Sequence, residues 1–98
     1  DGVKDVNVYN KIFEAVEKVP GASNPHRVRS RMIGNRYIIT LDIEVNPQIT
    51  ITQAHEIAGA VEKSIESSID NVYDILVHVE PAGECQTDEK FGVDKDMV

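Results

Sequence analysis

An α+β domain with the order helix, strand, strand, helix, strand is what this 98-residue sequence predicts. Three observations carry that expectation. Residues 7–19 and 50–69 repeat apolar side chains every three or four positions, the period of a helix with one buried face. Residues 26–32, 36–45 and 72–80 alternate or are rich in β-branched residues, as strands are. Short breakers separate them: Pro20-Gly21, Gly34-Asn35, Asn46-Pro47 and Asp70-Asn71. A three-stranded sheet with both helices on one face lets every amphipathic element cover its apolar side.

In the first helix Val8, Ile12, Ala15, Val16 and Val19 share one face, with Lys11, Glu14, Glu17 and Lys18 between them, and Pro20-Gly21 ends it. The first strand, HRVRSRM, brings Arg27, Arg29 and Arg31 to one face. Gly34-Asn35 then supplies hairpin turn residues, so the first two strands are expected to be antiparallel. The second strand, RYIITLDIEV, is the clearest in the chain. After Asn46-Pro47, Thr50 and Gln53 fit a capping box, and Ala54, Ile57, Ala58, Val61, Ile65 and Ile69 continue as an apolar stripe. The last strand, VYDILVHVE, stops at Pro81, and parallel pairing with the second would make this unit a right-handed crossover. Residues 83–98 carry Glu84, Asp88, Glu89, Asp94 and Asp96 with few apolar residues, so they read as an acidic solvated tail beyond a domain at 1–82.

Composition narrows the function. Seventeen acidic against ten basic residues give a formal charge of −7, which disfavours nucleic acid and favours cationic partners. Cys85 is the sole cysteine, so there is no internal disulfide and no Cys-x-x-Cys site, and a reducing compartment is expected. Any metal must therefore be held by His, Asp and Glu. No apolar run approaches the ~18–20 residues of a membrane-spanning helix, and no signal-peptide pattern is present. The start at Asp1 suggests a piece of a longer chain. No nucleophile–base spacing or cofactor loop points to an enzyme.

Strand alternation assigns faces. Tyr37, Ile39, Leu41, Ile43 and Val45 should meet the helices, leaving Ile38, Thr40, Asp42 and Glu44 on the opposite side. Tyr73, Ile75, Val77 and Val79 likewise face inward, and Asp74, Leu76, His78 and Glu80 face outward. Asp42, His78 and Glu80 thus share the uncovered face. His26 opens the first strand, but its parity matches Val28 and leaves its side open. His55 lies in the first turn of the second helix, near the end of the second strand. A mixture of imidazole and carboxylate favours zinc, manganese, iron or cobalt over calcium, whereas an exposed polar strand face remains the plain alternative.

The pieces VPG at 19–21, H-x-x-R-x-R-x-x-G from His26 to Gly34, QAH at 53–55 and VHVEP at 77–81 resemble the cytoplasmic C-terminal domain of cation diffusion facilitator transporters. The likeness spans about residues 7–82. It implies a ferredoxin-like, metallochaperone-like αββαβ domain that forms a V-shaped homodimer beneath a transmembrane domain absent from this sequence. It also implies a soluble cytosolic regulatory unit of an efflux transporter, in which divalent cations tighten the dimer. Position by position, the resemblance places metal ligands at His26, Asp42, His55, His78 and Glu80. Zinc is the first expectation, with manganese, iron, cobalt and cadmium as other ions such donors accept. A metal-independent dimerisation module is one alternative. A small-molecule regulatory domain is another, but it needs a glycine-rich loop after the first strand, and Gly34-Asn35 is too short.

Overall fold

A computed structural model describes residues 6–83. The elements are α1 (Val6–Glu17), β1 (Ser23–Ile33), β2 (Arg36–Val45), α2 (Ile51–Ser68) and β3 (Val72–Pro81). The expected acidic tail falls outside the described residues, apart from Gly83.

The sheet has the order β1-β2-β3, with β1 antiparallel and β3 parallel to β2. The predicted element order, hairpin and parallel crossover pairing therefore hold. α1 packs on α2 and β1, and α2 packs on β3. Between helices and sheet lies one apolar cluster in which Ile12, Val28, Ile39, Ile43, Val61 and Ile65 are fully buried. Each such side chain contributes about 1.5–3 kcal/mol by leaving water. In β2 the inward set Ile39, Leu41, Ile43 and Val45 is buried, as alternation requires.

The boundaries have local causes. The helical pattern of 7–19 yields a helix only to Glu17, because Lys18 N–H and Val19 N–H bond back to the Ala15 and Val16 carbonyls in a tightened last turn. Val19 stays buried in that turn. Gly21 follows with φ +92°, a backbone geometry that selects glycine, and a Cβ there would push on the end of the Ile57 side chain at 2.8 Å. The α2 capping box forms as expected: Gln53 N–H donates to Thr50 Oγ1 at 3.0 Å, and Thr50 N–H donates to Gln53 Oε1 at 2.9 Å. Ser64 Oγ–H donates to the Ala15 carbonyl at 2.8 Å and ties the two helices together.

β1 is longer than the predicted 26–32 and tolerates Pro25, because it is an edge strand. Its pairing also slips twice. Ser23, His26 and Arg29 sit opposite Glu44, Asp42 and Thr40, so three residues of β1 match two of β2 in each interval. Asn24 and Arg27, both at φ +48°, take up the extra residues in the left-handed region.

Candidate metal centre

The uncovered face of the sheet carries two rows of side chains. In one, His26 of β1, Asp42 of β2 and His78 of β3 are register neighbours. In the next, Ser23, Glu44 and Glu80 align in the same way. Adjacent strands are about 4.8 Å apart, so side chains in such rows converge. The double bulge settles the side of His26: it lets His26 and Arg27 both reach this face while Val28 remains in the core.

The contacts form one ionic cluster. Arg27 Nε–H donates to Asp42 Oδ2 at 2.6 Å, and Arg27 Nη2–H donates to Glu80 Oε2 at 2.6 Å. The guanidinium covers Asp42, which is only 9% exposed although it points away from the helices. The hydrogen bond that Arg27 donates to Asp42 is the largest cause holding the Arg27 pKa above the ordinary arginine value. His26 Nε2 lies 3.0 Å from Glu80 Oε1. His78 Nδ1 lies 3.6 Å from Asp42 Oδ1 and 3.7 Å from Glu80 Oε2, too far for hydrogen bonds but close enough to share an ion. Asn24 Nδ2–H donates to Glu44 Oε2 at 2.9 Å and orients that carboxylate.

The donors fit a divalent ion. Asp42, His78 and Glu80 each offer a ligand atom within 4.8 Å of the others, and so do His26, Glu44 and Glu80. Glu80 belongs to both sets. His26 supplies a further test of fit. Its Nδ1–H donates to the Asn24 carbonyl at 2.7 Å, which turns the other ring nitrogen, Nε2, toward the Glu80 carboxylate. Nε2 and the carboxylate oxygen then stand side by side as two donors that a shared cation could bridge.

Four of the five sequence candidates, His26, Asp42, His78 and Glu80, are thus brought together. His55 is not: it is exposed on α2 and belongs to neither donor group among the described residues. Glu44 enters a donor set that the sequence reading did not assign to it, although its parity with Asp42 was the available signal. Arg29 and Thr40 border the open hollow beside Asp42 and His78, with Arg27 on its rim.

Comparison with known proteins adds a second line. The family model for the cytoplasmic domain of cation efflux proteins matches residues 5–82. The chain belongs to this family. The cation efflux cytoplasmic domain also accounts for the solved structures it resembles. The metal-bound C-terminal domain of the CzcD transporter from Thermotoga maritima superposes with a TM-score of 0.79 at 36% identity, over 86% of this chain and all of that one. A cadmium form of a MamM C-terminal domain variant superposes at 0.73 with 35% identity, over 76% of this chain and 94% of that one. The magnetosome protein MamM of Magnetospirillum gryphiswaldense is 36% identical over 73 residues, 74% of this chain. Those residues are 23% of MamM, so the chain spans about a quarter of such a relative. No helix among the described residues is long and apolar enough to cross a membrane.

Proposed function

We propose that this cation efflux cytoplasmic domain is a divalent-cation sensor, binding zinc or a similar transition ion through His26, Asp42, His78 and Glu80. The observation that carries the reading is the convergence of Asp42, His78 and Glu80 to within 4.8 Å on an open sheet face. Imidazole and carboxylate together suit zinc, manganese, iron(II), cobalt and cadmium better than calcium or magnesium. The ion is regulatory here, and it belongs to the same class as the cargo of the parent transporter.

Binding would neutralise carboxylates and tighten a homodimer beneath the transmembrane part, a change driven by the higher affinity of one arrangement for the ion. Leu76 supports an association role, since it is 63% exposed on the same face as His78. His55 lies outside this centre, so any ion it holds is a separate one, completed by donors of a second protomer.

Zinc titration calorimetry on the wild-type chain and on His78→Ala and His55→Ala variants tests the reading. Saturable binding should be lost at the open-face site in His78→Ala. In His55→Ala that site should keep its affinity while the number of ions per chain falls. Unchanged binding in His78→Ala would remove the open-face site. Solution scattering with and without zinc measures the dimer, and an invariant profile at saturation would sink the regulatory part.

A further inference from the structure

Among the described residues, Arg27 is the cation placed between two of the proposed ligands. Its Nη2 contacts Asp42 Oδ2 at 2.5 Å and Glu80 Oε2 at 2.6 Å, and its Nε holds Asp42 as well. Glu80 Oε2 is also the oxygen facing His78 Nδ1. A divalent ion seated among His78, Asp42 and Glu80 would therefore compete for an oxygen that already carries a guanidinium, with two like charges at close range. The position is built rather than incidental. Arg27 sits in a bulge at φ +48°, a conformation that side-chain-bearing residues adopt only when their surroundings impose it.

Resting on the metal-sensor reading, we infer that Arg27 is the site's internal counter-cation: it holds Asp42 and Glu80 when no ion is bound, must be displaced by an incoming ion, and so selects which ions bind. The histidines give this selection its chemistry. His78 is 67% exposed at its side chain and offers an imidazole nitrogen to an ion arriving from solvent. An ion with strong affinity for imidazole can first bind His78 and then take the carboxylates from the guanidinium. Magnesium prefers oxygen and gives up water reluctantly, so it gains little from His78 and must contest the carboxylates directly. Arg27 thereby excludes an abundant hard cation from a carboxylate-rich centre. The hollow lined by Arg29, Thr40, Asp42 and His78 gives a hydrated ion access to this contest.

The test compares the 98-residue chain with Arg27→Gln and Arg27→Lys variants by zinc and magnesium calorimetry and by metal-free thermal unfolding. Arg27→Gln should tighten zinc binding by about tenfold or more, equivalent to about 1.4 kcal/mol or more. It should also acquire measurable magnesium binding and unfold at a lower temperature without metal. Arg27→Lys should retain magnesium exclusion, because a cation stays at the position. Zinc binding at the open-face site of Arg27→Gln that is equal or weaker, where His78→Ala removes binding at that site, overturns the inference and leaves the site reading standing. Magnesium exclusion that persists in Arg27→Gln overturns the selectivity. Absence of saturable zinc binding to both wild type and Arg27→Gln overturns the site reading, and this inference with it.

Discussion

The two faces of this sheet are built from alternate residues of the same strands, yet they are held by different physics. On the helix-covered face, Ile39, Leu41 and Ile43 of β2 meet Ile12, Val61 and Ile65, all essentially without exposure. On the open face, Thr40, Asp42 and Glu44 meet His26, Arg27, His78 and Glu80, and charge complementarity replaces burial. The first face is an apolar cluster out of contact with solvent, and its contacts are non-directional. The second is held by opposite charges brought together from all three strands. This separation lets charged side chains on the open face rearrange without disturbing the core.

The sharpest way to break the comparison is to excavate the covered face. Ile65→Ala removes a fully buried side chain between α2 and the sheet, and should cost about 2–5 kcal/mol of stability. Denaturant unfolding measures the loss, while zinc affinity of the remaining folded protein should be little changed. A large fall in affinity at low denaturant would show that the faces are coupled.

On the open face the expected cost depends on how far a side chain is covered. Asp42→Ala removes the acceptor of Arg27 Nε–H and Nη2–H at a position only 9% exposed. Losing charged hydrogen bonds there should cost about 1–3 kcal/mol without metal, less than Ile65→Ala. pH offers no equivalent handle on Arg27. Its pKa is raised in the folded chain by Asp42 and then Glu80, so its contribution is fully present below the unfolded arginine value and is lost only as pH rises through the folded one. Throughout the neutral range Arg27 therefore stays charged and paired with both carboxylates. Equal stability of Asp42→Ala and wild type would mean that the Arg27 contacts are screened to nothing.

The same contrast explains how much could be seen in advance. Strand alternation in β2 and β3 placed Asp42, His78 and Glu80 on one face correctly, because a regular strand turns each residue to the side opposite its neighbour. In β1 that arithmetic left His26 undecided, since two bulges each insert a residue whose presence depends on pairing with β2. Arg27 was visible as a strand arginine sharing a face with Arg29 and Arg31, but only the bulge aims it at Asp42 and Glu80 together. His55 follows β2 closely in sequence, and that closeness suggested a spatial one. The helix it begins, however, belongs to the layer on the covered side, and the distance between the two faces is a property of packing that no local pattern carries.

His78→Ala should have the smallest effect of the three, and for that reason it separates folding from sensing most cleanly. The imidazole is 67% exposed at its side chain, and its carboxylate neighbours stand beyond hydrogen-bond reach at 3.6 and 3.7 Å. Without metal the variant should match wild type within about 0.5 kcal/mol, as exposed substitutions without special contacts do. With zinc the two must diverge. A folded-state ligand at a hundred times its Kd adds about 2.7 kcal/mol to wild type and should add nothing through the open-face site of the variant. Thermal unfolding at rising zinc concentration therefore traces two curves from one origin. Curves that start apart would give His78 a structural role, and curves that rise together would take it out of the metal centre.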